Sequence, residues 1–290
     1  MGSAEDPDQL RFSQVQDARD RIRDRTCRSS QRREQAGSPE ERKETGMLFR
    51  LEYDEDLAQA AYLIGCQRTG EAIVIDPERD VDRYLVLARE HGLRVVAVAE
   101  THIHADFLSG ARELATRVGA KVFLSGLGGP DWRSRWLEGL EHRELKDGDR
   151  FSVGHIEFTA IHTPGHTPEH LSFTVTDRGS GAEIPMGVIT GDFVFVGDLG
   201  RPDLLETAAG RVGDREPSAR NLASSARRFL AFDDHLQVWP AHGSGSACGK
   251  ALGAVPQLIW QHKRAGQNGQ EVQELQALAK VEGPRVPSSW

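Results

Sequence analysis

The spacing of hydrophobic positions changes several times along the chain, and each change predicts an element. From Met47, Leu48-Phe49-Arg50-Leu51-Glu52-Tyr53 alternates apolar and polar positions as a half-buried strand does. Short apolar, β-branched runs at 60–64, 72–75 and 95–99 predict further strands. Between the last two, Val81, Tyr84, Leu85 and Ala88 recur at helical spacing before Gly92; after the run at 95–99, Ala111, Leu114, Ala115 and Val118 do so again, with Gly119 as a stop. Runs at 121–124, 151–161, 171–176, 187–190 and 236–239 continue the strand series. A further helix is signalled by Pro217 near its start and by Ala219, Leu222, Ala223, Ala226 and Leu230 on one face. Strands outnumber helices and fall in two batches, which predicts two sheets packed as a sandwich with helices outside. No internal repeat is visible.

Both ends read differently. Twenty charged residues and few apolar ones occupy positions 1–46, too little apolar surface to offset the entropy of ordering, so a disordered extension is expected there. Its arginines are interrupted by Asp17, Asp20, Asp24 and Glu34, unlike a transit peptide, and the start lacks an apolar signal core. Residues 256–290 read as a peripheral tail with a helix-compatible run at 270–280. The folded domain is therefore expected over 47–255.

Composition narrows the function. With 36 Lys+Arg against 44 Asp+Glu and a net charge of −8, the surface is unsuited to neutralising phosphates, so nucleic acid is not an expected partner. No apolar run approaches the roughly 20 residues that span a bilayer, so no membrane partner is expected either. Cys27, Cys66 and Cys248 are too few and scattered for a disulfide framework, which points to a reducing, cytoplasmic setting.

The chemistry lies at strand ends. Thr101-His102-Ile103-His104-Ala105-Asp106-Phe107 directly follows the run at 95–99, where side chains two apart share a direction. Imidazoles suit Zn, Fe, Cu or Ni, and a nearby carboxylate can ligate or can orient an imidazole. His162-Thr163-Pro164-Gly165-His166-Thr167-Pro168-Glu169-His170 follows the next long strand pattern; the Pro-Gly turn makes His166 the favoured ligand, with His162 and His170 read as supporting polar residues. Ile189-Thr190-Gly191-Asp192 ends a strand in a hard oxygen donor, and Trp239-Pro240-Ala241-His242-Gly243 ends another in imidazole. A single such turn is unremarkable. Four strand ends, each carrying His or Asp, argue for one shared centre.

Taken in order, these motifs resemble the metallo-β-lactamase fold superfamily, which implies an α/β fold, specifically an αββα sandwich. The match departs at Phe107, where dinuclear zinc hydrolases of the superfamily carry His; a Phe cannot bind metal. With that departure, the run Gly197-Asp198-Leu199-Gly200-Arg201-Pro202-Asp203-Leu204 and the segment 243–250, the sequence is more narrowly similar to the persulfide dioxygenases, in the bacterial branch often fused to a rhodanese domain. No rhodanese module is expected in the tail. The resemblance implies one Fe(II) per chain, rather than zinc, held by His102, His166 and Asp192. His104, Asp106 and His242 are implied as catalytic residues beside it, with coordination by His104 left open. The implied reaction oxidises a thiol persulfide, foremost that of glutathione, with O₂ to sulfite and thiol. Arg201 and Lys250 are candidates to contact a substrate carboxylate, each equally readable as an ordinary salt bridge, and Cys248 is a candidate modifiable thiol or a packed small residue. A homodimer is implied by resemblance alone. The competing reading is a zinc hydrolase like glyoxalase II acting on a glutathione thioester; a third is a scaffold that retains the motifs without catalysis.

Overall fold

The computed structural model describes residues 46–208 and 210–249, together with the backbone of 258 and 259. The expected extension before Gly46, the tail apart from 258–259, and Lys250 lie outside the described residues.

The first sheet contains β1 (Met47–Asp54), β2 (Gln59–Cys66), β3 (Glu71–Ile75), β4 (Arg94–Ala99), β5 (Lys121–Ser125) and β6 (His142–Leu145) in sequential order. Strands β1 to β3 are antiparallel and β3 to β6 parallel. Parallel pairing needs crossovers, which here include α1 (Asp82–Glu90) between β3 and β4 and α2 (Ala111–Val118) between β4 and β5. The second sheet contains β7 (Arg150–Val153), β8 (Ile156–His162), β9 (Leu171–Asp177), β10 (Gly187–Gly191), β11 (Gln237–Pro240) and the short β12 (Leu258–Ile259), in the order 12-11-10-9-8-7. It is antiparallel except for β10 and β11, whose crossover carries α3 (Leu204–Thr207) and α4 (Arg215–Phe229).

Alternation within strands creates the layers. Tyr62, Ile64, Ile73 and Ile75 join Phe151, Phe158 and Phe173 in the core between the sheets. Their neighbours Ala61, Leu63, Ala72 and Val74 point the other way, against Tyr84 and Ala88 of α1 and Leu114 of α2. On the far side Val188 and Val238 pack with Leu222, Ala226 and Phe229 of α4. Strands buried on both faces give continuous apolar text, which is why 60–64 and 72–75 show no polar alternation.

One expectation is corrected. The run at 151–161 is two strands, β7 and β8, joined by a turn at Gly154, whose φ is +56° and where a Cβ would meet Cys66 Cβ at 2.6 Å. The eye reads through this hairpin because both arms place Phe in the same core. Strand β6 gave no signal because three of its four residues are exposed.

Candidate metal centre

Four strand ends open at one edge of the sandwich and bring the predicted side chains together. His102 follows β4, His166 follows the Pro164-Gly165 turn after β8, Asp192 follows β10 and His242 follows β11. One ligand atom from each of His102, His166 and Asp192 lies within 4.8 Å of the others. Asp192 Oδ2 is 3.3 Å from His166 Nε2 and 3.8 Å from His102 Nε2. Both carboxylate oxygens of Asp192 are buried without a hydrogen-bond partner. A buried carboxylate with neither oxygen satisfied is costly unless something positive sits there, and a divalent cation held by two imidazoles and this carboxylate fits the place.

The surrounding hydrogen bonds fix which ring nitrogen faces that place. Thr101 Oγ1 donates to Asp76 Oδ2 at 2.8 Å, so it accepts from His102 Nδ1–H at 2.9 Å and leaves the lone pair on Nε2. Asp76 also accepts the Thr101 backbone N–H at 2.7 Å, and it holds a left-handed conformation with φ +51°. His166 Nδ1–H donates to the Arg201 carbonyl at 3.2 Å, again freeing Nε2. Asp192 is set by its backbone, whose N–H donates to His170 Nε2 at 3.0 Å, while His170 Nδ1–H donates to Thr163 Oγ1 at 2.8 Å. Thr163 Oγ1 in turn lies 2.9 Å from Ser172 Oγ. Gly191, at φ +51°, permits this closeness, because a Cβ there would stand 2.6 Å from Thr101 Oγ1 and 2.7 Å from His170 Nε2.

Electrostatics follow the same division. Burial alone would raise the Asp192 carboxyl, but the imidazoles of His242, His102 and His166 outweigh it and hold it well below the usual carboxylate range. Burial pushes His102 well below, and His166 below, the ordinary histidine value. His170, also buried and next to His166, is pushed down to about 3. Neutral rings are what a metal ligand and a hydrogen-bond acceptor require.

The remaining predicted residues occupy different places. His104 turns away from the three donors: its Nε2 lies 3.1 Å from both Asp76 Oδ1 and Glu100 Oε2, and its ring packs 4.3 Å from that of Phe107. Against the pull of burial, these two carboxylates raise it well above the usual histidine value, and Asp76, Glu100 and His104 are themselves a group of potential donors. His242 donates Nδ1–H to the Ala58 carbonyl at 3.0 Å and presents Nε2 to Asp106 Oδ2 at 3.1 Å and Asp192 Oδ1 at 3.3 Å. Cys248 Sγ lies 4.0 Å from Asp106 Oδ2, and burial pushes its thiol up to about 11. Asp106, His242 and Cys248 thus form a second group of potential donors beside the first. Arg201 forms a bidentate pair with Asp203 at 3.0 and 2.6 Å and reaches the Ala247 carbonyl at 3.3 Å, the salt bridge that was one of its two readings. His162 props its loop by bonding the Pro168 carbonyl at 2.9 Å.

Sequence reasoning missed Asp76, Glu100, Thr101 and Thr163. Asp76 carried the same signal as Asp192, an acid directly after an apolar strand.

Over 179 residues the chain is 30% identical to the hydroxyacylglutathione hydrolase of Rhodospirillum rubrum, covering 62% of this chain and only 62% of that enzyme's length. Over 200 residues it is 28% identical to the mitochondrial persulfide dioxygenase of Bos taurus, covering 68% of each. Among solved structures, a metallo-beta-lactamase from Staphylococcus aureus superposes with a TM-score of 0.70 at 40% identity, covering 82% of this chain and 68% of that one. Residues 54–242, from the end of β1 to the last predicted histidine, match the metallo-beta-lactamase superfamily, and the chain belongs to that family.

Proposed function

We propose that the protein is a mononuclear, non-haem iron(II) dioxygenase that oxidises a thiol persulfide, with glutathione persulfide its foremost substrate, using one dioxygen and one water to give sulfite and the thiol. The observation that carries this reading is the donor set: two neutral imidazoles and one carboxylate converge, while His104 points into carboxylates and position 107 is Phe. A two-histidine, one-carboxylate set leaves open positions and is the arrangement of iron(II) oxygenases. Ferrous iron, when bound, supplies the redox chemistry by which dioxygen attacks sulfur. This chain's residues supply the rest. Thr101 and the Arg201 carbonyl hold the two ligand rings in one tautomer, and His170 holds the Asp192 backbone. Asp106, 32% exposed at its side chain and paired with His242, is placed to orient a water or a persulfide S–H at the mouth. The likeness to a persulfide dioxygenase supports the reading.

A specific observation favours a second reading. Asp106, His242 and Cys248 offer donors for another ion next to Asp192, and a two-zinc hydrolase of glutathione thioesters would use such a pair, as the likeness to a hydroxyacylglutathione hydrolase suggests. Protein produced with iron and zinc both available separates the two. About one iron per chain, with oxygen uptake on glutathione persulfide, supports the dioxygenase. Two zincs per chain, reduced to one by Cys248→Ser, with hydrolysis of a glutathione thioester and no oxygen uptake, refutes it.

A further inference from the structure

Among the described residues, Ala58 and Asp76 are the two non-glycine residues with left-handed backbone, each at φ +51°, and both touch an imidazole of the metal centre or its surroundings. A Cβ in that conformation crowds the neighbouring carbonyl, so it persists only where the surroundings over-determine it. Asp76 is held there by its bonds to Thr101 and its contact with His104. Ala58 is different. It is buried at the end of the turn joining β1 to β2, and its methyl group has nothing to offer the site, so its carbonyl is what the conformation delivers.

That carbonyl accepts twice, from His242 Nδ1–H at 3.0 Å and from the Gly243 N–H at 3.2 Å. The Ala60 N–H donates to the Ala241 carbonyl at 2.7 Å, so Gln59 and His242 face each other as an isolated antiparallel bridge. The Tyr62 hydroxyl adds a bond to the Pro240 carbonyl at 2.6 Å. A strand of the first sheet thus seats the segment that leaves β11 of the second. The turn is fixed from its start as well, because Asp54 Oδ1 accepts the N–H groups of Asp56 and Leu57 at 2.9 Å each. At the other side of the His242 ring, Nε2 stands 3.1 Å from Asp106 and 3.3 Å from Asp192.

We propose that Ala58 is a positioning residue: its left-handed turn aims the carbonyl that fixes the His242 ring, and through that ring the Asp106 carboxylate, against the place shared by His102, His166 and Asp192. What Asp106 then does for turnover rests on the dioxygenase reading. The seating of His242 does not, since it is made by backbone groups that take part in neither reaction.

Ala58→Val tests this, because a β-branched side chain is excluded from left-handed backbone and the turn must swing its carbonyl away. Ala58→Gly and Ala58→Asn keep the conformation accessible. In the metal-free full-length protein, proton NMR of the His242 ring reads the contact directly: a slowly exchanging, low-field Nδ1–H is expected in wild type and in the Gly and Asn variants, and is lost in Ala58→Val. In the iron-loaded protein with glutathione persulfide, Ala58→Val is expected to lower kcat for oxygen uptake about 10–100-fold, with KM and iron content unchanged and with Gly and Asn restoring the rate. Asp54→Ala, which removes the turn's two starting bonds without touching His242, lowers kcat in the same direction, and Asp54→Asn restores it; this pair decides the matter should Ala58→Val fail to fold. If the protein loads two zincs and hydrolyses a glutathione thioester instead, the dioxygenase reading fails separately, and Ala58→Val is expected to weaken one of the two zincs about 10–100-fold. A retained Nδ1–H signal in folded Ala58→Val overturns the proposal. So does an equal loss of rate in the Val, Gly and Asn variants, which marks general packing at this position, or wild-type rates in both Ala58→Val and Asp54→Ala.

Discussion

Replacing His170 isolates one hydrogen bond beneath the metal centre. Its Nε2 accepts the Asp192 N–H at 3.0 Å and its Nδ1–H reaches Thr163, so the two nitrogens do separable jobs. Glutamine places an oxygen acceptor near the former Nε2 position; asparagine reaches only toward Nδ1. A buried donor left without an acceptor costs about 1–3 kcal/mol. Partners of metal ligands change affinity about 10–100-fold when lost, a similar energy at about 1.4 kcal/mol per tenfold. His170→Gln is therefore expected to keep near-native metal affinity, and His170→Asn to lose about 10–100-fold, measured by competition with a chromogenic chelator. The same pair tests a pH dependence. The folded-state value of His170 is about 3, below the ordinary 6.5, so as pH falls the unfolded chain takes up the proton first. Stability is then lost from about pH 6.5 down to about 3, at up to about 1.4 kcal/mol per pH unit from this group. Metal-free His170→Gln lacks that slope. Comparing it with metal-free wild type cancels His104 and His242, whose raised values act in the opposite sense. Equal affinity in the two variants, or an unchanged slope, refutes the account.

Removing a ligand has a simpler outcome: His166→Ala loses most of the bound metal while far-ultraviolet circular dichroism stays native, and a variant that retains its metal would place the ion elsewhere. Cys66 receives the His155 N–H at 3.4 Å and lies 3.6 Å from His155 Nδ1. Burial would raise its thiol, but these groups and Thr69 hold it at about 7 against about 11 for Cys248, so iodoacetamide at pH 8 is expected to label Cys66 before Cys248, read by peptide mass spectrometry. Phe158→Ala in the core between the sheets costs about 3–5 kcal/mol in denaturant unfolding; a loss below about 1 kcal/mol would contradict the packing described.

Much of this architecture was legible in the sequence because strand ends and turn residues act locally. Pro164-Gly165 marks where His166 leaves its strand, and Gly191 marks where Asp192 does, so the strand ends that carry candidate donors followed from short patterns, while the choice of His102, His166 and Asp192 among them rested on the family resemblance. What was illegible depends on distant partners. Nothing near His104 announces that Asp76, at the end of another strand, joins Glu100 in holding its Nε2 in a buried place beside the three donors. Arg201 keeps two readings in the sequence, substrate contact or salt bridge, and its contact with the Ala247 carbonyl, 46 residues away, has no local signal. The hairpin at Gly154 was read through because both arms share one hydrophobic period.

The donor atoms come from different layers: His102 is carried by the first sheet, His166 and Asp192 by the second. A bound cation is then a rivet through the sandwich, and its grip gauges how faithfully the halves are seated on one another. Substitutions among Phe151, Phe158 and Phe173, which touch no donor, are felt at the rivet as misalignment. Conversely, loading the ion clamps the halves and raises the melting temperature of the whole domain by mass action.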